Sequence, residues 1–309
     1  MAKKKRTASK SKGPVGVVGL GIMGGAFARN LAAARWRVVG YDTDAKVCRA
    51  LKRAGVEIAK DAGELAATAP VIITSLPSPG ALDSTVAAIV ASKVKPRVLV
   101  EASTFTLEDK QRAERALAKA GHTMLDCPVS GTGSQARVKD IVIYASGDPK
   151  AIRRLRPLFA NFTRGVHDLG AFGNASRMKY VANLLVAIHN VATAEAMVLG
   201  MKAGLDPRAI YDTIRTGAGN SRVFELRGGM MAADRYDDAT MKVRVWQKDM
   251  AVIGEFAKTL GCPTPLFTAT QPIYDAAMNT GHAMQDTAVV CAVMEDMAGV
   301  KRSNRKRRT

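Results

Sequence analysis

Val15-Gly16-Val17-Val18-Gly19-Leu20-Gly21-Ile22-Met23-Gly24 reads as a buried strand that runs into a glycine turn and then a helix. Gly19, Gly21 and Gly24 carry the G-x-G-x-x-G spacing of a dinucleotide-binding loop. The first glycine permits the tight turn, the second lets a pyrophosphate approach the backbone, and the third lets helix and sheet pack closely. The helix N-terminus offers unpaired N–H groups and a partial positive charge to phosphates. Glycine turns are common, so the flanks matter. An apolar run precedes the loop, an amphipathic helix is predicted over 26–34, and a second apolar run, Trp36–Tyr41, ends at Asp42. Asp42 lies 21 residues after Gly21, the distance expected of a ribose-binding carboxylate. A carboxylate there accepts from a 2′-hydroxyl and repels a 2′-phosphate, which favours NAD; Lys46 and Arg35 are within reach of a phosphate, which leaves NADP open. The structural alternative for Asp42 is a helix cap beside Thr43 and Asp44.

With 309 residues and 47% apolar content the chain has room for two domains with real cores. No run of 18 apolar residues is present, so no membrane-spanning helix is expected. The basic N-terminus has no apolar stretch behind it, so it does not read as a secretory signal. Cys48, Cys127, Cys262 and Cys291 form no C-x-x-C pair and read as reduced thiols in a cytoplasmic protein. The four histidines lack metal-ligand spacing, and no metal is expected. The net charge of +19 sits largely at the ends. Residues 1–12 and 301–309 hold twelve basic residues and no acid, which leaves +7 (19 less 12) on residues 13–300. Both ends read as disordered basic tails, solvated or weakly attracted to nucleic acid and other polyanions.

After the first βαβ, strands at 56–58, 71–74, 98–101, 123–126 and 141–145 alternate with helices at 45–54, 61–67, 80–92, 106–120 and 149–159. That alternation predicts a mostly parallel, doubly wound sheet, the Rossmann-type α/β class, over 13–173. Ligands sit at the C-terminal strand ends of such sheets, which selects the loops at 19–24, 42, 75–79, 102–104 and 127–133. From Asn174 the period changes: one long helix to about Gly204, then helices at 207–215, 221–227, 242–260, 265–279 and 286–298, an all-α domain over 174–300. Its buried apolar faces imply a homodimer or homotetramer.

Two further stretches carry chemistry. Asp126-Cys127-Pro128-Val129-Ser130-Gly131-Thr132-Gly133 follows a strand end and offers a nest of N–H donors suited to a small carboxylate. Gly170–Asn183 opens the long helix, with Lys179 and Asn183 four apart on one face of an otherwise apolar element. A lysine in that setting is paired or functional.

Together these stretches resemble the β-hydroxyacid dehydrogenase family, whose members include 3-hydroxyisobutyrate dehydrogenases and tartronate semialdehyde reductases. The resemblance covers residues 14–298. It rests on Gly19–Gly24 with Asn30-Leu31, on Asp126–Gly131, on Gly170–Asn183, and on Lys248-Asp249. It implies an NAD(P)-dependent enzyme that interconverts a small 3-hydroxy acid and its semialdehyde. Lys179 is then the general acid/base, and Ser130, Gly131, Thr132 and Asn183 hold the substrate. Gly19, Leu20, Gly21, Ile22, Met23, Gly24, Asp42, Leu76, Pro77, Thr104 and Lys248 bind the cofactor. Arg222 is a candidate for a second acidic group on the substrate, with a surface arginine as the plain alternative. Thr132 and Gln135 stand where the family has glycine, Asp140 replaces another, and Glu101 stands where an aspartate often precedes Ser-Thr. The competing reading is a catalytically weak dehydrogenase-fold protein that attaches to polyanions through its tails.

Overall fold

The structure, a computed structural model, describes residues 12–302. The chain divides into two compact units, one ending at Lys179 and one beginning at Tyr180.

In the first unit, β1 (Lys12–Val18), α1 (Ile22–Ala33), β2 (Trp36–Tyr41), α2 (Ala45–Lys52), β3 (Glu57–Ile58), α3 (Ala62–Thr68), β4 (Val71–Thr74), α4 (Pro79–Ala91), β5 (Val98–Glu101), α5 (Leu107–Lys119) and β6 (Thr123–Asp126) follow one another. The six strands are all parallel, in the order β3-β2-β1-β4-β5-β6. Successive side chains of a strand point to opposite faces, and both faces are apolar here. Val17, Ile73, Val100 and Leu125 join the core that holds Phe27 and Leu31 of α1. Val18, Ile72, Leu99 and Met124 join the core that holds Leu65, Leu82 and Leu117 of α3, α4 and α5. Asp44, Asp61, Ser78 and Thr106 cap the helices they precede by accepting a backbone N–H.

The parallel sheet stops at β6. The predicted strand at 141–145 belongs to a separate three-stranded sheet: β7 (Val129–Ser130), α6 (Gly133–Arg137), β8 (Val142–Ala145), α7 (Pro149–Phe159) and β9 (Gly165–Asp168), with β7 antiparallel and β9 parallel to β8. The chain reverses at Gly131, whose φ of 135° is a region open to glycine. A Cβ there would lie 2.5 Å from Ile141 Cγ2.

The second unit is helical. α8 (Asn174–Lys202) begins in the first unit and runs into it; α9 (Pro207–Ile214), α10 (Arg222–Ala233), α11 (Val243–Thr259), α12 (Pro265–Asn279), a 3-10 turn (Thr287–Val289) and α13 (Val290–Ala298) follow. α8 is long and apolar enough to cross a membrane by length and composition, contrary to the expectation from uninterrupted apolar runs. It is buried only in part, over 39% of its most apolar stretch, with Met178, Val181, Leu185 and Leu199 exposed. Buried Asn190 donates to Tyr274 Oη and to the Thr287 carbonyl, each at 2.9 Å, and Ala187, Ala194 and Met197 are buried. α10 runs six residues past its predicted end at 227. Gly228 and Gly229 do not terminate it; they let Tyr211 pack against its backbone, where a Cβ on Gly228 would meet the ring at 2.8 Å. Asp286 ties the loop before α11 to the start of the 3-10 turn, accepting from Thr240 and Met241 N–H and from Ala288 N–H and pairing with Arg227. Burial pushes its carboxyl up, but Arg227 and these donors outweigh that and hold it below the usual carboxylate range.

The tails predicted at 1–12 and 301–309 lie outside the described residues except at Lys12, Lys301 and Arg302. Lys12 opens β1, donating from its amide to the Arg35 carbonyl, with its amine 5.5 Å from the Trp36 ring. Arg302 is docked: it pairs with buried Glu295 and donates to the Met231 and Ala232 carbonyls at the end of α10. These two residues belong to the folded body, not to tails.

Candidate active site

The glycine turn lies where the sheet order reverses, between β1 and β4, the place where doubly wound sheets hold ligands. Its glycines serve different purposes. Gly19 has φ 83°, and a Cβ on it would lie 2.1 Å from the Ser75 carbonyl oxygen. A Cβ on Gly24 would lie 1.9 Å from the Gly19 oxygen. At Gly21 a Cβ meets nothing within 4 Å, so the protein itself does not demand glycine there. Gly21 is the N-cap of α1, with no side-chain cap and no acid in the first turn. The turn is an open cradle in front of a helix N-terminus, which fits a dinucleotide pyrophosphate.

Asp42 reaches back to this turn. Its Oδ2 accepts from Leu20 N–H at 2.7 Å and its Oδ1 from Asp44 N–H at 2.9 Å. The helix cap is Asp44, which accepts from Lys46 N–H. Asp42 thus locks the end of β2 to the glycine turn, and its carboxylate retains lone pairs for a ribose hydroxyl. Beside it, the loop after β4 is held by Ser75 N–H on the Val18 carbonyl and by Leu76 N–H on Ser103 Oγ at 2.8 Å. Ile22 and Pro77 are exposed, Met23 and Thr104 half-buried.

The Ser130–Thr132 loop, read from the sequence as the substrate loop, contains a hydrogen-bonded brace. Gln135 Oε1 accepts from Thr132 N–H (3.0 Å) and lies within bonding distance of its hydroxyl, and Gln135 Nε2 donates to Asp140 Oδ2 (2.9 Å). Asp140 in turn faces Arg164 at 3.5 Å. The three residues that depart from the family pattern here are therefore partners of one another. Ser130, half-buried, pairs in β7 opposite Val142. Asn30, read with the cofactor signature, is buried and donates to the Ala136 carbonyl at 2.8 Å, so its role is to join α1 to α6. Burial and the charge of Asp126 push the Cys127 thiol up, so it stays protonated.

Lys179 is half-buried in the first turns of α8, one turn before buried Asn183. Asn183 Nδ2 donates to Asp249 Oδ2 at 3.0 Å, and Asp249 Oδ1 lies 3.0 Å from Lys248 Nζ. Lys248 is therefore matched by its neighbour and is not a bare cation. Arg222 forms an exposed pair with Glu225 at 2.7 Å, as a surface arginine does.

One buried group escaped the sequence reading. Lys110 lies between Glu101 and Asp126, at 2.7 Å and 2.8 Å, with all three side chains fully buried. A signal was present: Lys110, Ala113 and Leu117 share the buried stripe of α5, where a lysine requires a partner.

Residues 14–171 match the family model for the NAD binding domain of 6-phosphogluconate dehydrogenase. Residues 173–294 match that for the NAD-binding of NADP-dependent 3-hydroxyisobutyrate dehydrogenase. The chain is 31% identical to the L-threonate dehydrogenase of Cupriavidus necator, over 90% of this chain and 95% of that enzyme. It is 28% identical to the mitochondrial 3-hydroxyisobutyrate dehydrogenase of Rattus norvegicus, over 91% and 86%. Among solved structures, a 3-hydroxyisobutyrate dehydrogenase from Salmonella typhimurium superposes with a TM-score of 0.82 at 29% identity, covering 91% of this chain and all of that one.

Proposed function

The chain belongs to the β-hydroxyacid dehydrogenase family, and on that footing we infer that it is an NAD(P)-dependent hydroxyacid oxidoreductase. The substrate is a small 3-hydroxy acid or its semialdehyde. The observation that carries the reading is the open, uncapped turn at Gly21 in front of α1, at the reversal of the sheet order. Relatives described as dehydrogenases favour the enzyme over a polyanion-binding protein.

A bound nicotinamide supplies the hydride acceptor. Neutral Lys179 takes the proton of the substrate hydroxyl in oxidation, and its ammonium form returns a proton to the developing alkoxide in reduction. A free lysine has a pKa of about 10.4, so this role needs burial or nearby positive charge to lower it. Asn183, its amide fixed by Asp249, orients the substrate oxygen. Ser130, Gly131 and Thr132 hold the carboxylate, with the backbone of the loop set by the Gln135 brace. Nicotinamide absorbance, followed while L-threonate and 3-hydroxyisobutyrate are offered with each cofactor, tests the reading; absence of turnover and of cofactor binding contradicts it.

We propose NAD as the preferred cofactor, because Asp42 presents a carboxylate where NADP carries a phosphate. Asp42→Asn keeps an acceptor for Leu20 N–H and removes the charge. It is expected to narrow the NAD-over-NADP ratio of kcat/KM about tenfold, equivalent to about 1.4 kcal/mol. An unchanged ratio removes Asp42 from cofactor selection.

A cytoplasmic setting suits the four free thiols. A homodimer or homotetramer is supported by exposed Met178, Val181, Leu185 and Leu199 along α8. Light scattering on the purified protein is expected to give a multiple of the 32.9 kDa chain mass; a monomer mass contradicts this.

A further inference from the structure

We propose that Lys110 is a positioning residue for the dehydrogenase reaction, holding from inside the first unit both the loop assigned to the cofactor and the turn of α8 that carries Lys179. The inference rests on the functional reading above.

Glu101 ends β5, Asp126 ends β6, and the two residues are direct partners in the sheet. Two carboxylates side by side at a strand edge repel each other. Lys110 Nζ, from α5, sits between them. Burial pulls this amine down, but Asp126 and Glu101 outweigh it and hold it above the ordinary lysine range, so the group is cationic. Stability is a poor reason for such a triad, since buried ion pairs are often replaced by apolar side chains at no loss. What the triad does uniquely is direct the remaining lone pairs of its two carboxylates.

Two branches leave it. Glu101 Oε1 accepts from Ser103 N–H at 2.9 Å, and Ser103 Oγ accepts from Leu76 N–H at 2.8 Å. This branch fixes the 102–104 turn and Leu76 together. On the other side, Asp126 accepts from Ser176 twice, N–H to Oδ2 and Oγ–H to Oδ1, each at 2.8 Å. Ser146 Oγ donates to Asp126 Oδ2 and accepts from Ala175 N–H at 3.1 Å. The first turn of α8 is thereby held at three points, which sets the rotation of the helix about its axis. Lys179 lies three residues after Ser176, on the same side of the helix.

The branches are separable by deleting one oxygen from each. Ser103→Ala is expected to raise the Kd for NADH about threefold to tenfold, the loss of roughly one hydrogen bond, with kcat on L-threonate or 3-hydroxyisobutyrate unchanged. Ser176→Ala is expected to lower kcat by a similar factor, with the Kd for NADH unchanged and faster hydrogen exchange at amides 175–179. Lys110→Met is expected to move both parameters, and if it fails to fold the two serine variants still carry the test. Variants that bind and turn over like wild type and differ only in unfolding midpoint overturn the inference. So do two variants that both move the same parameter. Wild-type protein that binds neither NADH nor NADPH and turns nothing over defeats the functional reading instead.

Discussion

Lys179→Ala is expected to lower turnover by about 10²–10⁴-fold while leaving cofactor affinity near its wild-type value, the loss expected for removing a general acid/base. Lys179 lies near the start of α8 (Asn174–Lys202), apart in sequence from the glycine turn at 19–24. Its backbone anchor, Ser176 on Asp126, is untouched by the substitution. On the proposed mechanism the change removes the proton carrier and leaves the Ser176–Asp126 anchor in place. Lys179→Arg separates proton transfer from charge. A guanidinium keeps the cation but does not release its proton in the accessible pH range, so this variant is expected to be as slow as the alanine. Steady-state turnover and equilibrium cofactor binding, measured on the same preparations, check both. Wild-type turnover in Lys179→Ala removes the lysine from the mechanism.

Gly19→Ala is expected to abolish measurable cofactor binding and to destabilise the first unit by about 2–6 kcal/mol. About 1–3 kcal/mol of this comes from forcing a side chain to φ 83°. The other 1–3 kcal/mol comes from overpacking, since the new Cβ would lie 2.1 Å from the Ser75 carbonyl oxygen. Relief requires the turn and the loop after β4 to part, and both are assigned here to the cofactor. Gly21→Ala is the control, because its Cβ enters open space. That variant is expected to unfold at the wild-type temperature yet bind NADH more weakly, the methyl group standing in the space proposed for the pyrophosphate. Thermal unfolding and cofactor titration distinguish the two glycines. Undiminished binding by Gly21→Ala shows that the cradle does not hold the dinucleotide.

The fold was legible where a pattern repeats. β1, β2 and β4 to β6 are apolar runs, and Asp61 and Thr106 stand where caps belong. β7 has two residues and β9 ends in exposed His167 and Asp168, so neither shows a period, and the second sheet stayed hidden. Gly228-Gly229 reads as a stop in one dimension and is a packing surface for Tyr211 in three. In the candidate site, residue types were readable and partnerships were not. Thr132, Gln135 and Asp140 each looked like an isolated departure, as did Glu101. Only the fold brings the first three into one brace and sets Glu101 beside Asp126 with Lys110 between them. Asp42 shows the same limit: its spacing pointed to a ribose, and its grip on Leu20 N–H appears only when β2 lies next to β1.

Hydride transfer between a hydroxy acid and a nicotinamide is followed most directly by isotope transfer. Purified protein would be incubated with oxidised cofactor and with L-threonate or 3-hydroxyisobutyrate carrying deuterium on the carbinol carbons, and the reduced cofactor examined by mass spectrometry. Reduced cofactor that carries one deuterium is expected, formed by wild-type protein and only marginally by Lys179→Ala. Reduced cofactor without the label, or its formation at equal rates by both proteins, would contradict it.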